Sequence, residues 1–314
     1  MQPLLNSLHN QHPIIPIIYL MNITSELDSY LISDDIMAAA YSGTTLKQRA
    51  WMKKQTAHLC THYGLDGHHY TRSLQHRASD FSRTSMTRPV DYAGLVIDSF
   101  PPAWNKLLAL LVPAAMQGST ETGVFVLSDN PEAINPELLT ALELAGIEDI
   151  YCLDLDTLKD WLSRQGQDLE CLFFACSQDF NVPDKGNHPF NRRRWLHLTG
   201  QETYRSAVWA DKNHDWDWDV LAWANPDVYF LAAGEKAGQA PQGFEILDVE
   251  PGELKDMDVD VFFGPEEYFK DTRAPLGLSP GLEACWVWPG LDRHFFSSRR
   301  EFWAGMPAHR NNNS

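Results

Sequence analysis

Between residues 91 and 176 the sequence alternates short apolar runs with longer amphipathic stretches. That rhythm constrains the fold more than anything else in the chain. The runs are Tyr92–Phe100 (YAGLVIDSF), Gly123–Leu127 (GVFVL), Asp149–Leu153 (DIYCL) and Glu170–Cys176 (ECLFFAC). None alternates polar with apolar residues, as expected of strands covered on both faces. Between them lie Trp104–Met116, a stretch opened by Asn135-Pro136-Glu137 and closed before Gly146, and Leu155–Arg164. Each is long enough to cross back over a sheet, which parallel pairing requires. Pro101-Pro102 ends the first strand and suits a first helical turn. Asn135 offers a cap and Pro136 fits the first helical position. Right-handed crossovers then give an α/β fold with a doubly wound, mostly parallel, Rossmann-like sheet.

Other elements are expected around this unit. Residues 1–22 read as an extension; a start at Met21 is one reading open to the sequence, in which case residues 1–20 are ill-packed. Residues 23–65 read as an N-terminal helical hairpin: Thr24-Ser25-Glu26 opens it, Ser42-Gly43 breaks it, and Gly64 ends it. Residues 66–90 are rich in His, Arg and Ser without a sustained period, so a surface loop or short helix is expected, making 23–90 a helical region. Residues 91–210 form the expected Rossmann-like core, with Glu202–Ala210 as a helix. Residues 211–314 are expected to continue the same sheet with a smaller α+β part. Strands are expected at Trp195–Leu198, Val228–Ala232, Phe244–Val249, Val259–Phe263 and Cys285–Trp288, and a helix at Trp216–Ala224.

Charge narrows the function classes. The net charge of −17 opposes binding to a phosphate backbone or an anionic membrane surface, so neither nucleic acid nor membrane is an expected partner. The apolar segment Pro13–Met21 is too short to span a bilayer and has no basic flank. Five scattered cysteines without a CxxC pair point to a reducing, cytoplasmic compartment.

From Leu95 onward an ordered set of motifs appears. Leu95-Val96-Ile97 precedes Pro102-Ala103-Trp104-Asn105. Then come Pro113-Ala114-Ala115-Met116-Gln117-Gly118 and Val124-Phe125-Val126-Leu127, and later Leu144-Ala145-Gly146-Ile147 with Ile150-Tyr151. His197-Leu198-Thr199-Gly200-Gln201 follows further on. This set resembles the cofactor domain of the aldehyde dehydrogenase and histidinol dehydrogenase superfamily. The resemblance implies an NAD(P)-linked oxidoreductase, with NAD or NADP as cofactor. It implies Asn105 as oxyanion donor, and Pro102, Trp104, Thr199, Gly200 and Gln201 near the cofactor. An ordinary helix cap at Asn105 and an ordinary turn at 199–201 are the alternatives. The resemblance also implies a cysteine nucleophile, a role that would fall to the late Cys285, with a buried strand position as its alternative. The sequence departs from the family at several points. No Lys follows the second strand, which ends Leu127-Ser128-Asp129. Glu-Leu-Gly-Gly is absent, and Cys285 sits in Glu283-Ala284-Cys285-Trp286 rather than Gly-Gln-x-Cys. These departures leave a second reading open: a catalytically degenerate relative that binds a ligand or a protein.

Four further groupings carry chemistry. His188, Arg192, Arg193 and Arg194 could hold an anionic substrate, or could be a solvated surface. His58 and His62 share one helix face but lack the intervening Glu of a metalloprotease, and no metal site is expected. His214-Asp215-Trp216-Asp217-Trp218-Asp219 could face a sugar or a cation, or anchor a loop to the core. The aromatic run Trp286–Trp303 suggests a packed tail or a partner surface. The expected partners are a small molecule or a protein, with a homo-oligomer as a further expectation.

Overall fold

A computed structural model describes residues 23–64, 70–76, 81–98, 101–165, 169–177, 180, 192–198 and 203–305; the expected extension 1–22 lies outside them. The alternating unit forms the sheet its pattern predicts. Strands β3 (Tyr92–Ile97), β4 (Glu121–Leu127), β5 (Ile150–Leu153), β6 (Cys171–Cys176) and β7 (Arg193–His197) are all parallel, in the order β5-β4-β3-β6-β7. Helices α3 (Trp104–Met116) and α4 (Pro136–Leu144) cover one face, where Leu107 and Leu138 join Leu95, Val124 and Phe174. Helix α5 (Leu155–Arg164) covers the other, where Leu158 and Trp161 meet Tyr92, Phe125 and Phe173. At α4 the capping expectation holds: Asn135 Oδ1 accepts from Glu137 N at 2.8 Å, with Pro136 at the first turn, whereas Pro101 and Pro102 lie ahead of the Ala103 N-cap of α3 and not in its first turn.

Two glycines make the central strands possible. Gly94 and Gly123 face each other across β3 and β4. A Cβ on Gly94 would lie 2.6 Å from the Phe173 ring, and one on Gly123 would overlap the Tyr92 hydroxyl. These glycines give the aromatic layer room beside the sheet.

The hairpin of α1 (Asp34–Gly43) and α2 (Leu46–Tyr63) forms, broken at Gly43 and ended at Gly64, but α1 opens after Ser33 and not at Thr24: Ser25–Tyr30 is a separate 3-10 turn, and the Thr24 side chain makes no cap hydrogen bond to it. Thr45 and Gln48 make a capping box at the start of α2. The hydroxyl of Thr44, between the two helices, meets that of Thr140 on α4 at 2.8 Å.

Three expectations are corrected. First, residues 66–90 do not form a loop or helix. Strands β1 (Tyr70–His76) and β2 (Phe81–Pro89) pair with β13 (Ser297–Gly305) as an antiparallel sheet. Its residues are mostly exposed or half-buried, so no apolar face imposes the two-residue alternation that marks a strand. Second, Glu202–Ala210 is not a helix. Within it β8 (Tyr204–Trp209) is the central strand of a second parallel sheet, with β9 (Val228–Ala233), β10 (Glu245–Ile246), β11 (Val261–Phe263) and β12 (Leu276–Leu278). The second half therefore builds its own five-stranded sheet, ordered β10-β9-β8-β11-β12, rather than extending the first. Tyr, Val and Trp in β8 favour a strand, and burial on both faces removed the alternation. Third, Cys285–Trp288 is not a strand. The Gln55 side chain donates to Trp286 O at 2.7 Å and accepts from Trp286 N at 3.0 Å, standing in for a ladder neighbour. The expected helix at 216–224 is present as α6 (Trp218–Ala224).

The two parallel sheets share one core. Val208, Phe230 and Phe263 of the second belong to the same buried cluster as Leu95 and Phe174 of the first. No helix among the described residues is long and apolar enough to cross a membrane.

Candidate functional site

Counted within each sheet, both strand orders read third, second, first, fourth, fifth. In such sheets ligands bind outside the carboxyl ends, where crossovers leave the first and fourth strands in opposite directions. In the first sheet this point lies between β3 and β6. Asp98 follows β3 and Ser177 follows β6. His197 ends β7, with Nε2 3.2 Å from Ser177 O. On the other side of the switch point, past the ends of β4 and β5, a cleft of about 380 Å³ is lined by Ser128, Asp129, Asp154 and residues 29–33. Asp129 is exposed and makes no ion pair or hydrogen bond among the described residues.

These residues fit one half of a dinucleotide and not the other. An acid beyond the second strand of the order, such as Asp129, suits a ribose hydroxyl pair. The start of α3 does not suit a pyrophosphate. Pro101 and Pro102 carry no N–H, and Ala103 N donates to the carboxylate of Asp227 at 3.3 Å. Cofactor position Pro102 is half-buried at this start, while Trp104 is buried against Trp223 at 5.4 Å. Thr199, Gly200, Gln201 and His188 lie outside the described residues.

Asn105 and Cys285 are brought into one neighbourhood, through the carbonyl of Ala284. Asn105 is 0% exposed. Its amide donates to Asn225 Oδ1 at 3.1 Å and to Ala284 O at 3.3 Å, and its Oδ1 accepts from Lys106 N at 2.9 Å. Both amide hydrogens are thus engaged by protein carbonyls, and Asn105 pins α3 to the segment at 283–286. Cys285 is buried, and burial pushes its thiol up to about 12. A thiol held protonated at neutral pH is a poor nucleophile.

The three arginines diverge. Arg193 donates to Leu162 O at 2.7 Å near the end of α5, and Arg194 donates to Phe295 O at 2.8 Å; Arg192 is exposed. All three lie at the amino end of β7, away from the crevice at its carboxyl end. His58 and His62 sit on the exposed face of α2.

Sequence reasoning passed over two groups. Lys106 is fully buried, with Nζ 2.7 Å from Asp227 Oδ1 and 4.0 Å from the Trp286 ring centre. A lysine within the apolar stretch Leu107–Val112 and its lead-in was the available signal. Asp211, His214 and Glu267 gather at the switch point of the second sheet, their ligand atoms within 4.8 Å of one another. One nitrogen and two carboxylates could hold a divalent cation. Burial raises the Asp211 carboxyl, but the bonds from His214 and Asn213 outweigh it and hold it below the usual range. Their spacing across β8 and β11 is invisible in sequence.

No family model matches the sequence, and no curated protein matches it. Solved structures do. A histidinol dehydrogenase from Elizabethkingia anophelis is similar over 90% of this chain and 80% of its own, at 14% identity and a TM-score of 0.52. The chain folds like histidinol dehydrogenase. An E. coli NADP dependent enzyme (87% and 82% covered, 9% identity, TM-score 0.46) and succinate-semialdehyde dehydrogenase from Burkholderia pseudomallei (87% and 83%, 9% identity, TM-score 0.44) are also similar. The fold likeness rests on the first. The dehydrogenase-type fold thus reaches beyond the span from Leu95 to Gln201 where the motifs lie, and takes in the second sheet.

Proposed function

We propose that the chain is an NAD-linked oxidoreductase that binds the adenosine half of its cofactor past the ends of β4 and β5. The observation that carries this reading is Asp129, placed beyond the second strand of a Rossmann-ordered sheet and beside an open cleft. A carboxylate there receives a ribose hydroxyl pair and repels a 2′-phosphate, so NAD is preferred over NADP. The bound group would supply hydride transfer. His197, at the crevice, offers a group for proton movement. Asn105 and Cys285 take no part in this reading, because neither offers a free donor or a thiolate.

The test is calorimetric titration of the full chain with NAD and with NADP. NAD is expected to bind more tightly, and Asp129→Ala to weaken it by about tenfold. Absence of binding by either nucleotide overturns the reading. A second reading, a ligand- or protein-binding relative without activity, is favoured by the burial of Asn105 and Cys285. NAD binding without turnover on any aldehyde or amino alcohol would support it.

A further inference from the structure

A second cleft, of about 710 Å³, opens at the carboxyl end of the second sheet, between α2 and the loops that follow β8, β9 and β12. Its aromatic wall is Trp51, Trp216 and Trp218. Four carboxylates also line it. Asp215 is paired with Lys236 at 2.6 Å, and Asp217 with Lys47 at 2.8 Å. Asp219 is exposed and has no ion pair among the described residues.

The fourth carboxylate is the unusual one. Glu283 is 2% exposed. Its Oε1 accepts from Gly281 N at 3.0 Å and from Asp217 N at 3.4 Å. Its Oε2 is buried and has no hydrogen-bond partner. A buried carboxylate oxygen without a donor is a costly arrangement unless something supplies one. Among the described lining residues Lys54 is the one cation, and it is engaged elsewhere: it donates to Gly281 O, and its Nζ lies 4.6 Å from the Trp51 ring centre.

We propose that this cleft binds a small organic ammonium ion bearing at least one N–H. The N–H donates to Glu283 Oε2, the positive charge is balanced by Glu283 and Asp219, and the carbon skeleton lies against the indoles. A quaternary ammonium lacks the hydrogen that Oε2 needs. A neutral sugar leaves the excess of carboxylates over cations unanswered. This inference does not depend on nucleotide binding at the first sheet.

Calorimetric titration of the full chain with benzylammonium, benzyl alcohol, benzyltrimethylammonium and glucose tests it. Saturable binding of benzylammonium is expected, about tenfold or more tighter than any of the other three. Glu283→Gln is expected to weaken it by about tenfold, and the exposed Asp219→Asn by a smaller factor, roughly threefold. If Glu283→Gln does not fold, the ligand series and Asp219→Asn decide. The proposal is overturned if benzylammonium does not saturate, if another compound binds as tightly, or if the variants that fold keep wild-type affinity.

Discussion

Lys106 Nζ lies 2.7 Å from Asp227 Oδ1, and this ion pair joins the first turn of α3 to the residue that leads into β9. It links the two sheets at the cost of burying an ammonium. Burial lowers the Lys106 pKa from 10.5 to about 8, against the upward pull of Asp227. Between those values the unfolded chain holds more protons than the folded one, so this lysine's contribution to stability rises with pH across that window. Urea unfolding of the wild type and Lys106→Met from about pH 7 to 10 isolates it, since other groups cancel in the difference. Lys106→Met also leaves the Asp227 carboxylate without its cation, so the pH dependence of the difference, and not its sign at neutral pH, carries the test. Above about pH 8 the wild type should gain on it, with a slope approaching about 1.4 kcal/mol per pH unit. A flat difference would refute the assignment.

Gly123 and Tyr92 form a matched pair. The Tyr92 hydroxyl is buried without a partner and occupies the space a Gly123 Cβ would need. Gly123→Ala should destabilise by about 1–3 kcal/mol through overpacking. Tyr92→Phe removes the clashing atom and an unsatisfied hydroxyl, so alone it should be neutral or stabilising. The double variant should recover most of the loss, and a purely additive double-mutant cycle would contradict this geometry.

The cysteines give a chemical test of the site. Cys171, Cys176 and Cys285 are buried, and burial pushes each thiol up to about 12. Ellman's reagent at neutral pH should leave these three unmodified in the native chain and reach them in urea. Fast native labelling of Cys285, followed by mass spectrometry, would reopen its role as nucleophile.

Asn105 is predicted to be structural. Asn105→Ala leaves Asn225 Oδ1 and Ala284 O without their donor inside the core. A loss of about 2–3 kcal/mol is expected in chemical denaturation, with NAD affinity unchanged in the folded fraction. A stable variant with altered affinity would place Asn105 at the ligand instead.

These tests also mark what the sequence disclosed. The first sheet is legible because two-sided burial, the proline start of α4 and the glycines after α3 and α4 all agree from Tyr92 to Cys176. β8 carries no clear signal, because nine residues of mixed character suit either period. The β1–β2 pair escaped because an exposed sheet needs no apolar face. The second cleft was half visible in the Asp-Trp alternation at 215–219. Its decisive group, Glu283, comes from a distant segment and has no local signature.

Glu170 ties the antiparallel sheet to the first parallel one. It precedes β6, and its Oε1 accepts from Arg300 Nε on β13 at 3.1 Å and pairs with Arg88 of β2 at 3.1 Å. Burial raises its carboxyl, but the bonds from Arg300 and Arg88 outweigh this and hold it below its usual 4.5. A carboxyl lowered by folding contributes stability above its unfolded pKa and loses it as pH falls through the folded value. Glu170→Gln should therefore cost about 1–3 kcal/mol at neutral pH. The wild-type advantage should shrink as pH drops below about 4.5. Amide exchange in β2 and β13 should quicken in the variant while β3 and β4 stay protected, because the lost ion pairs hold the antiparallel sheet and not the parallel core. Equal loss of protection in both sheets would show that Glu170 serves the core rather than the junction.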